Sequence, residues 1–195
     1  MLIQIFGVPA NLKTSVFICT SLDGFIARKD GTLDWLDKAN ALAPKGEDCG
    51  FRAFMDSIDV LVMGRKTFEQ VLTFGEWVYG ATRVIVMSRG KPDIPNHLTK
   101  IVSSSSETPT QLIERLSAEG AKHLYIDGGF PIQQFLKEGQ IDEVTITIAP
   151  VVLGEGKPLF EPIEKDIELV LLNTKPFDFG FVQVKYAVKK ASSPA

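Results

Sequence analysis

The sequence predicts an α/β fold in which a mostly parallel central sheet is flanked by helices and closed by an antiparallel C-terminal hairpin. Three observations lead to this fold class. Apolar runs of strand length recur along the chain, segments with helical spacing lie between them, and two further strand-like runs near the C-terminus are separated only by a turn. Strands that alternate with helices form parallel sheets, whereas strands joined by a short turn pair antiparallel.

Six runs with strand character precede the hairpin and are expected to build the central sheet. Several of them are apolar at successive positions, which is typical of strands that are covered on both faces. The six runs are Ser15–Cys19, Asp59–Met63, Arg83–Met87, Lys100–Val102, His123–Ile126 and Glu143–Ile148.

Four segments between these strands have apolar residues at helical spacing, and the third also has recognisable ends. It begins after Thr108-Pro109 and ends at Gly120, as capped helices commonly do. The four segments are Phe51–Ile58, Phe68–Leu72, Leu112–Leu116 and Ile132–Leu136. The hairpin comprises Glu168–Leu172 and Gly180–Val188, with its turn at 176–180.

Length and composition predict one domain that needs no disulfide or structural metal. The chain has 195 residues, of which 45% are hydrophobic, and a chain of this length buries roughly two-thirds of its unfolded surface. We expect the domain to span residues 14–188, preceded by an N-terminal extension (1–13) and followed by a disordered tail (189–195).

Charge and cysteine content argue against several classes of partner. A net charge of −3 offers no basic face of the kind that nucleic acids and anionic membranes select. Two cysteines and two histidines lack the spacing of a metal site, so no metal is expected. The apolar run at 1–10 lacks a basic start and contains Gly7 and Pro9, which is unlike a signal peptide and favours a cytoplasmic location.

The end of the second predicted strand has the properties of an anion site. Gly64-Arg65-Lys66-Thr67 joins a strand to a helix, so backbone N–H groups, a positive helix terminus and two cations lie together. The same four residues also fit a tight turn followed by a solvated helix start. Other strand ends must distinguish these interpretations.

Two further strand ends favour the anion site. Ser88-Arg89 follows the third strand, and Asp127-Gly128-Gly129-Phe130-Pro131 joins the fifth strand to a helix, where glycines allow a pyrophosphate to approach the backbone. The chain has no G-x-G-x-x-G fingerprint after a strand. The number of cations favours a ligand with an extra phosphate, which is NADPH rather than NADH.

Four motifs in order resemble the dihydrofolate reductase-like superfamily, particularly the reductase domain of bifunctional riboflavin-biosynthesis enzymes. The resemblance covers about Thr14 to Val188 and implies a three-layer reductase fold. The motifs are Ser21-Leu22-Asp23-Gly24-Phe25-Ile26-Ala27, the segment from Val62 to Glu69, Asp127-Gly128-Gly129, and the segment from Ala149 to Phe160.

This resemblance implies a distribution of roles around the cofactor. Arg65, Lys66 and Thr67 would hold the phosphates, Ser88 and Arg89 the adenosine ribose with its 2′-phosphate, and Gly128, Gly129 and Phe130 the pyrophosphate. Cys19 and Ile26 would line the nicotinamide, and the segment 22–35 would be a mobile loop that covers it. A homodimer is also expected from the resemblance.

The substrate side departs from the best-known members. Riboflavin-pathway reductases typically have lysine at Phe25 and glutamate at Asp127, and this chain has no zinc-deaminase signature. Asp23, Asp48 and Asp127 are the candidate catalytic carboxylates. Asp23 also fits a turn former beside Gly24, and Asp48 also fits a solvated helix start.

Asp23 and Trp35 are the candidate substrate-binding residues. Trp35 would either cap the substrate pocket or pack the loop. The leading hypothesis is an NADPH-dependent reductase that acts on a small planar heterocycle, either pterin- or folate-like or similar to 5-amino-6-(5-phosphoribosylamino)uracil. The alternative is a non-catalytic, homodimeric NADP-binding protein of the same fold.

Overall fold

The computed structural model describes residues 12–190 and confirms the predicted α/β architecture. Most of the expected N-terminal extension and most of the expected tail lie outside this range. One eight-stranded sheet has the order β5-β4-β3-β6-β1-β7-β10-β9. Its strands are β1 (Lys13–Ser21), β3 (Val60–Gly64), β4 (Arg83–Met87), β5 (Val102–Ser105), β6 (His123–Asp127), β7 (Glu143–Ala149), β9 (Leu169–Pro176) and β10 (Val182–Val188).

The first six of these strands in chain order are mutually parallel, and the predicted C-terminal hairpin is antiparallel. β10 pairs with β7 on one side and with β9 on the other, which leaves β9 at the edge. A separate short ribbon pairs β2 (Phe25–Ala27) with β8 (Lys157–Pro158). The helices are α1 (Asp34–Asn40), α2 (Phe51–Met55), α3 (Arg65–Leu72), α4 (Pro109–Ala118) and α5 (Gly129–Lys137).

Alternation along the strands creates two hydrophobic layers, one on each face of the sheet. Val60 and Val62 of β3 belong to a cluster that also contains residues of α4 and α5. Leu61 and Met63 of the same strand belong to a second cluster that contains Phe68 of α3 and aromatic residues of α2. Successive side chains of a strand point to opposite faces, so a continuously apolar strand is buried by helices on both sides.

The third predicted helix has the ends that its sequence indicated. The Thr108 hydroxyl accepts from the Gln111 backbone N–H, and the Gln111 side chain accepts from the Thr108 N–H in return. This reciprocal capping box satisfies two backbone donors that the helix itself leaves unpaired.

The fourth strand and the segment 22–35 differ from the sequence prediction. The fourth strand spans Val102–Ser105 rather than Lys100–Val102, because its backbone pairs with β4 through the serine run. The segment 22–35, expected to be a loop, contains β2 and reaches into α1. In α1, Trp35 and Ala39 are buried one turn apart, a spacing that the sequence analysis overlooked.

No helix between residues 12 and 190 is both long and apolar enough to cross a membrane.

Candidate functional site

A cleft of about 1200 Å³ opens at the carboxyl ends of the parallel strands. β3 and β6 are neighbours in the sheet, but the chain leaves β3 towards β4 on one side and leaves β6 towards β7 on the other. The connections therefore diverge between these two strands. In open α/β sheets, this topological switch point is where ligands bind.

The cleft lies at the N-termini of α3 and α5. Gly64 ends β3 and precedes α3, and a Cβ at Gly64 would stand 3.2 Å from the Pro131 ring in the first turn of α5. The residues that precede these helices, Gly64 and Gly128, make no side-chain hydrogen bond to the first-turn N–H groups. First-turn N–H groups carry partial positive charge, so two helix ends at one cleft favour an anion.

The glycine pair after β6 allows the two helix starts to approach each other. Gly128 has φ 83° and ψ 150°, a conformation essentially limited to glycine. A Cβ at Gly128 would stand 2.4 Å from Thr67 Oγ1, and one at Gly129 would stand 3.1 Å from Ile26 Cδ1. Because neither residue carries a Cβ, Thr67 of α3 and Ile26 of β2 pack directly against the start of α5.

Four cationic side chains among the described residues line the cleft, and they lie towards β3 and β4. Arg65 and Lys66 begin α3, Arg89 follows β4, and Lys157 belongs to β8. Arg65 Nε donates to Glu69 Oε1 at 2.6 Å. The Arg65 guanidinium also reaches the loop after β4, within 4.0 Å of the position of a Cβ at Gly90.

Lys157 lies on the same side because of the short ribbon. A Cβ at Gly31 would stand 2.8 Å from Lys157 Nζ, and the Gly31 carbonyl accepts from Gln70 Nε2 of α3 at 3.2 Å. These contacts place the segment 22–35 against α3. The Lys157 ammonium therefore adds to the positive potential around α3.

Asp127 is the candidate catalytic carboxylate whose surroundings favour a bound proton. Burial raises the pKa of Asp127 to about 6, although its Oδ1 accepts from the Gly128 N–H at 2.8 Å. Tyr79 also lines the cleft, and burial, then the negative charge of Asp127, raises the pKa of its phenol. Asp127 can therefore exchange a proton near neutral pH, beside a phenol that stays protonated.

Asp23 does not line the cleft. Its carboxylate accepts from the backbone N–H groups of Leu153 and Gly154, at 3.1 and 2.7 Å. The Ser21 hydroxyl and these N–H groups hold the pKa of Asp23 below its usual value. In this position, Asp23 joins the loop after β1 to the loop after β7.

Asp48 lines the cleft, but backbone donors occupy both of its oxygens. They accept from the Gly50 and Arg52 N–H groups at 2.8 and 3.1 Å. The bonds from Arg52 and Gly50 hold the pKa of Asp48 below its usual value. This carboxylate satisfies donors at the start of α2 and is ionised at neutral pH, which is unfavourable for a proton donor.

Trp35 lies beside the site rather than in it. Its side chain is only 2% exposed and packs in a cluster with Ala39, Ala149, Phe177 and Phe181. This burial fits the packing interpretation of Trp35.

The structure brings all eleven expected cofactor-binding residues to one cleft. They are Cys19, Ile26, Gly64, Arg65, Lys66, Thr67, Ser88, Arg89, Gly128, Gly129 and Phe130. Other residues line the cleft without having been predicted from the sequence, among them Phe17, Phe51, Gln70, Tyr79 and Lys157. Of these five, only Lys157 could have been recognised from the sequence, because it lies within the motif that ends at Phe160.

Across residues 12–190, no three His, Cys, Asp or Glu side chains come close enough together to hold a metal ion.

Sequence and structure comparisons identify a family for this chain. Residues 13–182 match the RibD C-terminal domain. The uncharacterized protein YwjB of Bacillus subtilis is 35% identical over 176 residues, which cover 89% of this chain and 97% of YwjB. These matches span nearly the whole domain.

Solved structures agree with this assignment. A protein from Shewanella sp. PV-4 that is named for riboflavin biosynthesis aligns with a TM-score of 0.85 and 40% identity, covering 91% of this chain and 99% of that one. Dihydrofolate reductase from Enterococcus faecalis, complexed with NADP(H), aligns with a TM-score of 0.62 and 14% identity, covering 94% and 100%. That second likeness shows the shared fold. The chain belongs to the RibD C-terminal domain family and shares the fold of dihydrofolate reductase.

Proposed function

We propose that this protein is an NADPH-dependent reductase that transfers hydride to a carbon–nitrogen or carbonyl double bond of a small planar heterocycle. One observation carries the proposal. The N-termini of α3 and α5 meet at the switch point of the sheet, beside Arg65, Lys66 and Arg89, where Gly128 and Gly129 line the cleft and allow the two helix starts to pack closely. The Enterococcus relative with this fold binds NADP(H), which is consistent with the same cofactor here.

The cofactor's phosphates require charge, and the cleft supplies it locally although the chain is acidic overall. Arg65, Lys66 and Thr67 hold the pyrophosphate together with the N–H groups of the two helix starts. Arg89 and Ser88, at the end of β4, bind the adenosine ribose and its 2′-phosphate. The exposed guanidinium of Arg89 is free to approach that phosphate. This second phosphate distinguishes NADPH from NADH.

NADPH supplies the hydride, and the protein supplies orientation, exclusion of water and a proton. Cys19 at the end of β1 and Ile26 of β2 line the nicotinamide. Burial raises the pKa of the Cys19 thiol to about 12, so it remains a neutral, apolar contact. The segment 22–35 covers this part of the cleft, and the β2–β8 ribbon holds it in place.

Asp127 holds the proton that the reduced substrate requires. Its pKa of about 6 leaves a fraction of the carboxyl protonated at neutral pH, and the side chain lines the cleft. Asp23 and Asp48 act structurally, because backbone N–H groups occupy their oxygens. The proton passes from Asp127 to the substrate directly or through one water.

The functional unit is a cytoplasmic homodimer that forms through β9. All eight residues of this edge strand are exposed, and they include Leu169, Val170, Leu171 and Leu172. An exposed apolar edge strand of this length is otherwise prone to aggregation. Light scattering should give twice the mass of the chain, and Leu171→Glu should give one chain mass, whereas a monomeric wild type would refute the dimer.

Both described cysteines carry free thiols, as a reducing compartment favours.

Two measurements test the enzymatic proposal. Fluorescence titration should give a lower Kd for NADPH than for NADH, and NADPH should then be consumed when dihydropterin or an aminouracil nucleoside is added. Failure of both nucleotides to bind below millimolar concentration would refute the proposal. Binding of NADPH without its consumption by either substrate class would favour a non-catalytic NADP-binding protein.

A further inference from the structure

The two ends of the cleft differ sharply in charge. The cations lie around α3 and the ends of β3 and β4. At the other end, beneath β1 and β10 and beside α2, lie Phe17, Cys19, Leu36, Asp48, Phe51 and Phe181, here called the aromatic end. In the strand order, β1 stands two strands from β3 and β10 stands four strands from it, or roughly 10 and 19 Å at the usual strand spacing.

The aromatic end is rigidly built. The Phe17 and Phe51 ring centroids lie 5.7 Å apart, and Phe17 also stacks on Phe54 at 4.9 Å. Gln183 Nε2 donates to the Cys49 carbonyl at 2.9 Å and to Thr147 Oγ1 at 3.0 Å, which fixes the start of α2 against β7. A planar ring can lie against these fixed aromatic faces.

The only charged member of the aromatic end is negative. Every Lys and Arg of the chain lies between positions 13 and 190, within the part that the structure describes, and none of them belongs to this end. Asp48 is ionised there, since backbone N–H groups stabilise its carboxylate. Two cations lie nearby without lining the cleft: the positive charge of Arg52 attracts the Asp48 carboxylate, and the Lys175 ammonium stands 4.4 Å above the Phe177 ring.

We propose that the substrate of this protein is an unphosphorylated planar heterocycle, neutral or positively charged, whose ring binds against the aromatic side chains at this end of the cleft. The proposal rests on the reductase function proposed above and assigns its substrate class. A phosphate at the aromatic end would lose hydration without a cationic partner and would face the Asp48 carboxylate. A ring with N–H donors meets no such penalty.

A matched pair of probes tests this assignment. NADPH-saturated protein is titrated calorimetrically with 5-amino-6-ribosylaminouracil and with its 5′-phosphate. The unphosphorylated probe should bind at least about tenfold more tightly, because like charges oppose the phosphate. Equal binding, tighter binding of the phosphate, or binding of neither probe would overturn the proposal.

Two variants locate the effect. Asn40, an exposed residue at the end of α1, lines the cleft, and Ala118, an exposed residue at the end of α4, does not. Asn40→Arg should reduce the preference for the unphosphorylated probe about tenfold through a charge-assisted contact, whereas Ala118→Arg, with the same added charge, should leave it unchanged. An unchanged ratio in Asn40→Arg, or a phosphate affinity that depends on Lys175, would overturn the proposal.

The first step of the same titration separates this proposal from the one on which it rests. If NADPH does not bind, the reductase function fails and the substrate class fails with it. If NADPH binds and the probes show the wrong preference, only the substrate class fails.

Discussion

Replacement of Gly128 by alanine would place a methyl carbon 2.4 Å from Thr67 Oγ1, closer than any real Cβ contact. Gly128 also has φ 83°, a backbone conformation that alanine adopts only under strain. The variant therefore tests whether the starts of α3 and α5 approach each other as closely as the proposed phosphate site requires.

The expected cost has two parts that can be separated. Backbone strain contributes about 1–3 kcal/mol, and the overpacked methyl contributes about 1–3 kcal/mol more. Gly120 has φ 90° but nothing within 4 Å of an added Cβ, so Gly120→Ala carries strain without the clash, about 1–2 kcal/mol. Gly128→Ala should therefore destabilise the protein clearly more than Gly120→Ala.

Urea unfolding of a double-mutant cycle isolates the contact. Thr67→Ala removes the hydroxyl and methyl that meet the new Cβ and leaves Thr67 Cβ at 3.4 Å, an ordinary contact distance. In the Thr67→Ala background, Gly128→Ala should cost about 1–3 kcal/mol less than in the wild type. A coupling energy near zero would refute the close approach of the two helix starts.

Three other substitutions test individual groups. Arg89→Ala should weaken NADPH binding by about 1.5–3 kcal/mol more than NADH binding, because Arg89 is assigned to the 2′-phosphate. Arg83→Ala, at the opposite end of β4, should not change the ratio of the two Kd values. Equal losses for both nucleotides in Arg89→Ala would contradict the assignment of Arg89 to the 2′-phosphate. Because the folded-state pKa of Asp127 is raised from 3.8 to about 6, the free energy of unfolding of the wild type should fall as the pH rises through that interval. Urea unfolding of Asp127→Asn should show no such dependence on pH. Asp48→Ala should lower the free energy of unfolding by about 0.5–2 kcal/mol at neutral pH, like the loss of a helix cap. This difference should shrink as the pH falls, because the wild-type carboxylate becomes protonated. An equal difference at low pH would contradict the role assigned to Asp48.

The central sheet could be predicted because its strands are buried on both faces. Runs such as Val60–Met63 are continuously apolar, and that pattern comes directly from helices that cover both sides of the sheet. The start of β5, two residues later than predicted, has no such pattern. The serine-rich sequence of β5 is polar, so its place in the sheet depends on pairing with β4 rather than on its own hydrophobicity.

The end of the cleft that carries the glycines and cations could be predicted from the sequence more readily than the aromatic end. Glycines and cations directly after a strand, such as Gly64 and Arg65, indicate an anion site from the sequence alone, because the residues that form such a site are neighbours in the sequence. Asp23 and Trp35 have no such local signal for their roles. Asp23 binds backbone 130 residues away in sequence at Leu153, and Trp35 is buried by the hairpin residue Phe181, contacts that only the folded chain creates.

Amide hydrogen exchange with and without NADPH tests the central claim most directly, because it shows where the cofactor lies. Saturating NADPH should slow exchange in the segments 64–67 and 127–131, at the starts of α3 and α5, and leave the amino-end segment 122–124 unchanged. The segment 88–90 should be protected more by NADPH than by NADH. Protection confined to other parts of the chain, or no protection at all, would contradict the account.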